Sequence, residues 1–251
     1  MADKLIPGPG EGNGFVPEAS GGGRLKEGIR LFRLKRWDLA LKELLQAAPE
    51  NFSPEESREL AYYLGLCHAK LGRFEDALLY LEQVIATGGD VLRVYQCRMT
   101  LAYIYLLTRR SKMAEFELQR LQNNGIESPQ LYTTLAYAAW LQKRWKKAID
   151  FYERALELDE NNTTAMNGLG YILADTSEDL IRGLRLCKRA VDRKPQNAAY
   201  LDSLGWAYYK SGEIMEARIW TRRALDAAPN EKEIKEHWQV VSRDQPGRRR
   251  G

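Results

Sequence analysis

The residue types that most often carry catalysis or bind metals are few in this sequence. It contains two histidines, His68 and His237, and three cysteines, Cys67, Cys97 and Cys187. The histidines lie far apart and have no cysteine or carboxylate partners at the spacings typical of metal sites. The widely spaced cysteines form no CxxC pair, which favours reduced thiols in a reducing compartment over a disulfide framework. The sequence therefore predicts no catalytic residue, no metal site and no cofactor.

Two glycine-rich stretches do not change this interpretation. The segment GPGEGNG at residues 8–14 is not followed by the Gly-Lys-Ser/Thr of a phosphate-binding loop, and no strand is predicted before it. The segment GLGY at residues 168–171 superficially matches part of a dinucleotide-binding loop, but it also lacks a preceding strand. Neither stretch predicts a nucleotide site.

The composition is that of an ordinary soluble protein. Of the 251 residues, 44% are hydrophobic and 29% are charged, and the formal net charge is +4 with a pI near 8.8. This mild positive charge permits an anionic partner without requiring one. The sequence shows neither a signal peptide nor an apolar run long enough to span a bilayer. We expect a cytoplasmic protein, or a periplasmic one if a leader has been removed, with no membrane insertion.

Small residues recur at a regular spacing through most of the chain. One series, with steps of 34 to 37 residues, consists of Ala40, Ala77, Ala114, Ala148, Gly183 and Ala217. A second series precedes each of these by twelve residues, or thirteen in one case: Gly28, Gly65, Ala102, Ala136, Gly170 and Gly205. Seven residues after each member of the first series come Ala47, Val84, Leu121, Ala155, Ala190 and Ala224. A period of this length indicates a repeat protein.

The segments between these positions have the pattern of amphipathic helices. Leu64, Cys67 and Leu71 share one helical face. The sequence SPEE at residues 53–56 is a capping box, with serine at the N-cap, proline at the first helical position and glutamate at the third. No run of residues alternates for long enough to form a strand. The sequence therefore predicts an all-α fold of about six antiparallel helix pairs.

This pattern resembles the tetratricopeptide repeat, a 34-residue helix–turn–helix unit. The sixth repeat carries Leu204, Gly205, Tyr208, Gly212, Ala217, Ala224 and Pro229 at the positions of the family signature. The second carries Leu64, Gly65, Gly72, Phe74, Ala77 and Leu81, and the fourth carries Leu135, Ala136, Trp145, Ala148, Tyr152 and Ala155. The C-terminal half is similar to bacterial members. The resemblance implies an α-solenoid in which the small residues mark the points where two helices approach closely.

The resemblance covers residues 24–230 and suggests the organisation of the chain. The six repeats are expected at approximately 24–50, 54–90, 92–125, 129–162, 163–197 and 198–230. Residues 1–23 are rich in Gly, Pro and Glu, and we expect them to be disordered. Residues 231–242 are expected to form a helix that caps the last repeat, and residues 243–251 a basic disordered tail.

The family binds ligands on a concave surface formed by the first helix of each repeat. The resemblance assigns the following residues to this groove: Tyr62, Leu66, Met99, Tyr103, Thr133, Tyr137, Trp140, Asn167, Tyr171, Asp202, Trp206 and Tyr209. Aromatic residues dominate this set, and Tyr and Trp commonly anchor bound partners. Chaperone-binding members clamp a terminal carboxylate with Lys and Asn. The corresponding positions here hold Tyr62, Leu66, Met99 and Tyr103, which does not support that activity.

Cations cluster at the turn between the two helices of the first four repeats. We call the following residues the basic edge: Arg36, Arg73, Arg109, Arg110, Lys143, Arg144 and Lys147. One interpretation is the general preference of cations for the C-terminal end of a helix. The other is an anionic partner that lies along this edge.

The sequence favours a non-enzymatic scaffold that binds a peptide segment of a partner protein in the groove. A nucleic-acid-binding helical-repeat protein is a less favoured alternative, because the groove lacks the polar pairs with which helical repeats read RNA bases. A carrier of a small apolar ligand is a second alternative. The sequence does not determine the partner's identity or the oligomeric state.

Overall fold

The structure, a computed structural model, describes residues 21–88 and 90–244. Thirteen α-helices, one 3-10 turn and no strand occur within these residues. The predicted all-α fold class is therefore confirmed. The described residues divide into two compact units, 21–88 and 90–244, each with its own internal packing.

The first unit contains two helix pairs. They are α1 (Gly21–Arg33) with α2 (Trp37–Leu45), and α3 (Pro54–Lys70) with α4 (Phe74–Thr87), with a 3-10 turn at Pro49–Asn51 between the pairs. Because α1 begins at Gly21, residues 21–23 are helical, although the sequence placed them in the disordered N-terminal segment. The rest of that segment, residues 1–20, lies outside the described residues.

The second unit contains four helix pairs and a single final helix. The pairs are α5 (Val91–Leu107) with α6 (Ser111–Asn123), α7 (Pro129–Leu141) with α8 (Trp145–Leu158), α9 (Thr163–Asp175) with α10 (Leu180–Arg193), and α11 (Ala198–Lys210) with α12 (Ile214–Ala227). The first helices of successive pairs lie side by side and form one wall of the stack. The final helix, α13 (Lys232–Arg243), packs against α11 and α12. Most of the predicted basic tail, residues 245–251, lies outside the described residues.

Side-chain caps begin several of these helices, and the sequence predicts the one at residues 53–56. The Oγ atom of Ser53 accepts a hydrogen bond from the backbone N–H of Glu56 at 3.2 Å, and the carboxylate of Glu56 accepts one from the N–H of Ser53 at 2.9 Å. Ser128 caps α7 with a single bond, because its Oγ atom accepts from the backbone N–H of Leu131 at 3.1 Å. Caps of this kind stabilise a helix by about 1 kcal/mol each. The predicted capping box is confirmed.

The small residues lie where the two helices of a pair touch. Ala77, Ala148 and Ala217 have no exposed surface. A Cβ atom added at Gly205 would lie 2.5 Å from Cγ2 of Thr221 on the partner helix, and one added at Gly65 would lie 2.8 Å from Leu81. Larger residues at these positions would push the paired helices apart. The interpretation of the period as close helix approach is therefore confirmed.

The turn inside each helix pair contains one residue with a positive φ angle. Glycine fills this position in two pairs, at Gly72 and Gly212. In the other four pairs it is filled by Lys35, Arg109, Lys143 and Ser177, with φ between 58° and 61°. This left-handed conformation costs a non-glycine residue roughly 1–2 kcal/mol. Repeats that lack the turn glycine of the family pattern therefore make the same turn at some cost in stability.

Candidate functional site

The second unit contains a cavity of about 590 Å³ on the face formed by the first helices of its last three pairs. Five predicted groove residues line it: Tyr137 and Trp140 from α7, Asn167 and Tyr171 from α9, and Asp202 from α11. The linker before α13 and the first turn of α13 contribute Glu231, Glu233 and Ile234. The structure therefore places the central part of the predicted groove around one cavity.

Aromatic rings form a series along this wall. Tyr137 and Trp140 stack with ring centroids 5.5 Å apart, and Trp140 meets Tyr171 edge-on at 6.1 Å. At the other end of the series Trp206 stacks on Tyr209 at 5.1 Å. The ring of His237 on α13 joins the two parts, because it lies 4.2 Å from Trp206 and 6.1 Å from Tyr171. His237 was not among the predicted site residues.

The last helix lies on the C-terminal end of the predicted groove. The Nδ1 atom of His237 is 2.7 Å from Oδ2 of Asp202, and the hydroxyl of Tyr209 donates to Oδ2 of Asp244 at 3.0 Å. The guanidinium of Arg218 on α12 donates to the carbonyl oxygens of Ser242 and Asp244 at the end of α13. As a result α13 and Asp244 lie against Asp202, Trp206 and Tyr209, whereas the residue Tyr137 is 41% exposed.

The cavity has an acidic and partly unsatisfied polar lining. It is bordered by three carboxylates, Asp202, Glu231 and Glu233, and by no lysine, arginine or histidine among its described lining residues. Oδ1 of Asp202 and Oδ1 of Asn167 are buried and have no hydrogen-bond partner. A buried polar atom without a partner costs free energy comparable to a lost hydrogen bond. Two residues that line the cavity therefore each carry an acceptor that no group of the protein satisfies.

Burial and neighbouring charges shift the acid–base properties of this site. Burial raises the pKa of Glu233, and the charges of Asp202 and Glu236 raise it further, while His237 and Arg109 act in the opposite direction. Burial also raises the pKa of Tyr137 and of Tyr171, so both phenols are neutral at physiological pH. The wall is thus aromatic and uncharged, with carboxylates grouped at one end.

Several lining residues lie outside the predicted set. Tyr152 on α8 is buried, and its ring lies over Gly168, where an added Cβ would be 2.3 Å from Cζ of the tyrosine. Gly168 is the glycine in GLGY that the repeat period does not explain. Its lack of a side chain could have indicated that a large residue packs against it. Tyr200 and Ser203 of α11 also line the cavity. No sequence pattern indicated that Glu231 and Glu233 would line the cavity, because they follow the last repeat.

The remaining predicted groove residues lie away from this cavity. Tyr103 on α5 is 58% exposed, Met99 is half-buried on the same helix, and Thr133 lines a separate polar cavity of about 430 Å³. Tyr62 and Leu66 belong to α3 of the first unit, where both are half-buried and Tyr62 meets Tyr63 edge-on at 5.2 Å.

Two members of the basic edge are engaged in ion pairs within the second unit. Glu115 on α6 accepts hydrogen bonds from Arg144, from Lys147 at 3.0 Å and from Gln142 at 3.1 Å. Burial alone would raise the pKa of Glu115, but these donors outweigh it and lower the pKa to about 2. Arg144 and Lys147 therefore serve an internal contact. The other five members of the edge are exposed: Arg36, Arg73, Arg109, Arg110 and Lys143.

The cysteines and the other histidine are part of the core. Burial raises the pKa of Cys67, Cys97 and Cys187 to about 12, so all three are neutral thiols at physiological pH. His68 is buried, stacks on Tyr80 at 5.6 Å, and has its pKa lowered by burial. Over the described part of the chain no three His, Cys, Asp or Glu side chains are grouped to hold a metal ion.

In the second unit, stacked antiparallel helix pairs place their first helices side by side as one wall. This arrangement is typical of helical-repeat proteins. The family profile described as Tetratricopeptide repeat matches residues 129–162, and a second profile of the same description matches residues 25–90 and 172–232. Together the matches span more than half of the chain. The chain belongs to the tetratricopeptide repeat family, as its sequence pattern indicated. None of the helices in the described segments is both long and apolar enough to cross a bilayer.

Two curated relatives match about three quarters of this chain in sequence. It is 27% identical over 196 residues to TPR repeat-containing protein PA4667 of Pseudomonas aeruginosa, a match that covers 76% of this chain and 31% of that protein. It is 22% identical over 188 residues to human protein O-mannosyl-transferase TMTC1, which covers 74% of this chain and 21% of the transferase. The chain therefore spans about a third or less of the length of these two relatives.

Solved structures share the fold. YrrB, described as a TPR protein with an unusual peptide-binding site, superposes with a TM-score of 0.54 at 19% identity over 78% of this chain and 97% of YrrB. The Cut9–Hcn1 hetero-tetramer of the APC/C superposes with a TM-score of 0.72 at 14% identity over 90% of this chain and 43% of that one. At these identities the likeness concerns the fold alone.

Proposed function

We propose that this protein is a non-enzymatic scaffold that binds an extended peptide segment of a partner protein along α7 and α9, with the cavity as its main anchoring site. The observation that carries the proposal is the aromatic wall of Tyr137, Trp140 and Tyr171 beside a cavity of about 590 Å³. Buried aromatic anchors supply much of the binding energy in protein interfaces. A cavity of this size accepts one or two side chains of a peptide.

Features of the relatives support this proposal. YrrB is described as having a peptide-binding site, and Cut9 is described as part of a hetero-tetramer. Both are members of the same fold class that associate with other polypeptides. A non-enzymatic role is consistent with the cysteines being neutral thiols and with both histidines being buried.

The test is a comparison of the groove with the basic edge. A partner is first captured from native lysate and identified, and its affinity for the wild-type chain is then measured. We expect the double variant Tyr137→Ala and Trp140→Ala to lose about 30-fold in affinity, which corresponds to roughly 2 kcal/mol. Phe116→Ala is the matched control, because Phe116 is an aromatic residue 48% exposed on α6, outside the cavity.

The same comparison separates the nucleic-acid alternative. Arg110→Gln with Lys143→Gln removes two exposed cations of the basic edge. For a peptide ligand we expect this charge variant to change mainly the association rate and its salt dependence. A partner that binds the aromatic variant at wild-type affinity, with circular dichroism confirming its fold, would overturn the proposal. Strong loss in the charge variant together with a steep salt dependence would instead favour a nucleic acid.

A further inference from the structure

The cavity carries charge of the opposite sign to the protein as a whole. The chain has a formal net charge of +4, yet three carboxylates and no cationic side chain border the cavity among the residues described there. We propose that the cavity binds the guanidinium group of an arginine side chain in the partner peptide. This inference rests on the peptide-binding function proposed above and specifies the chemistry of its ligand.

Asp202 is the first reason. Asp202 lines the cavity, and the residue is only 5% exposed. One carboxylate oxygen, Oδ2, is bound to Nδ1 of His237, while Oδ1 has no hydrogen-bond partner. Asn167, which lines the same cavity, also has a buried Oδ1 without a partner. A guanidinium carries five N–H donors in a fixed plane and can satisfy more than one such acceptor at once.

The aromatic wall is the second reason. Trp140 and Tyr171 meet edge-on, Tyr137 stacks on Trp140, and all three aromatic residues line the cavity on the side of α7 and α9. A cation placed over the face of a Trp or Tyr ring is attracted by the ring quadrupole. Arginine stacks on such faces better than lysine because its guanidinium is planar and weakly hydrated. An arginine side chain can thus lie against the rings with its head group at the carboxylates.

The acids at the N-terminal end of α13 complete the site. Glu231 and Glu233 border the cavity beside Ile234, and the pKa of Glu233 is raised by burial and by neighbouring negative charge. A raised pKa means that the surroundings of the Glu233 carboxyl disfavour its charged form. A cation bound nearby would favour that charged form and so lower the pKa. Two groups act to lower the pKa of Glu233, His237 from α13 and Arg109 from the turn before α6, and neither lines the cavity.

The experiment uses two capped tripeptides that differ only in charge. Acetyl-Gly-Arg-Gly-amide and its citrulline counterpart have nearly the same shape, but citrulline is neutral. Each is titrated into the full chain while the indole N–H resonance of Trp140 is followed by NMR. We expect the arginine peptide to bind about tenfold more tightly, as charge-assisted hydrogen bonds would give.

Two variants assign the effect to the cavity. Glu233→Gln is expected to weaken the arginine peptide about fivefold and to leave the citrulline peptide unchanged. Glu216→Gln is the matched control, because Glu216 is an exposed glutamate of α12 that does not line the cavity, and it should change neither affinity.

The outcomes separate this inference from the proposed function. Equal affinities for the two tripeptides, or binding of neither, would overturn the arginine site, whereas the Tyr137 and Trp140 comparison with the captured partner would still decide peptide binding. The chain has its own arginines at 248–250, so a version ending at Asp244 is titrated as well. Unchanged affinity in that version supports a partner's arginine, and a large gain would instead assign the cavity to the chain's own tail.

Discussion

His237 and Asp202 join a residue outside the repeats to one inside them. The pair is buried, its atoms are 2.7 Å apart, and the imidazole is stacked on Trp206. Burial acts to lower the pKa of His237, but the hydrogen bond and charge of Asp202, with the charges of Glu233 and Asp175, outweigh it and leave the pKa raised. The contribution of the His237–Asp202 pair to the attachment of α13 therefore depends on the protonation of the imidazole.

The first prediction concerns the pH dependence of this attachment. Because the pKa of His237 is above its ordinary value of 6.5 in the folded protein, its stabilisation is complete below pH 6.5 and is lost as pH rises through the folded value. His237→Gln should lower the free energy of unfolding by about 1–2 kcal/mol at pH 6 and by much less at pH 9. Urea unfolding of both proteins at several pH values measures this difference.

His68→Gln provides a control of opposite sign. Burial lowers the pKa of His68, so its neutral form is favoured in the folded state and the wild-type chain loses stability as pH falls. The difference between wild type and this variant should therefore shift in favour of the variant at low pH. A pH-independent difference for His237→Gln would show that the imidazole acts only through packing.

At the scale of the helix pair, the sequence contained nearly all the information that the structure required. Gly205 and Ala217 had to be small because the backbones of α11 and α12 approach closely there, and such a requirement repeats with the period of the fold. Caps such as Ser53 were readable because their partners lie three residues away. Helix caps and close helix contacts can therefore be predicted from a single sequence, because they depend on residues close together in the chain or repeated at a fixed period.

The second prediction tests this packing. Ala217→Leu places three extra carbon atoms in a contact that leaves Ala217 with no exposed surface, and Ala148→Leu does the same in the pair of α7 and α8. We expect each to cost about 1–3 kcal/mol of stability. Ala227→Leu is the control, because Ala227 is an exposed residue of α12. Thermal melts in which both core variants match this control would refute the register of the repeats.

The position of α13 and the cavity beside it could not be predicted from the repeat period or from local motifs. The contact between His237 and Asp202 joins residues far apart in sequence, and α13 follows the last repeat, so no period relates its residues to the groove. The sequence predicted a helix that covers an apolar face, but the partners of Glu233 and His237 depend on how that helix is docked. The same reason explains why the acidic character of the cavity was missed: two of its three carboxylates come from this segment.

At the scale of the whole molecule, charge is distributed unevenly. The chain is basic, and two cations of its basic edge are held by Glu115, whereas the cavity in the second unit is acidic. A single net charge therefore describes neither surface. Two of the three carboxylates that make the cavity acidic come from the segment after the last repeat. The same segment forms α13, which packs on α11 and α12.

The last prediction concerns the two ends of the chain. Removing residues 231–251 deletes the apolar side chains Ile234 and Val241, which are buried against α11 and α12, together with the His237 pair. Since each fully buried aliphatic side chain contributes about 2 kcal/mol, this deletion should lower the melting temperature by several degrees or more. Removing residues 1–20 should leave it nearly unchanged, because that sequence has too little apolar content to form a core.

A point variant distinguishes lost packing from lost chain length. Ile234→Ala with Val241→Ala keeps the full chain and the acids Glu231 and Glu233, so it should reproduce most of the stability loss of the C-terminal deletion. Calorimetry of the four proteins, with helical content followed by circular dichroism, measures these effects. Equal losses from the two deletions would contradict the role of α13 as the helix that completes the last repeat, because a terminal repeat without its cap exposes the apolar face that stacking normally buries.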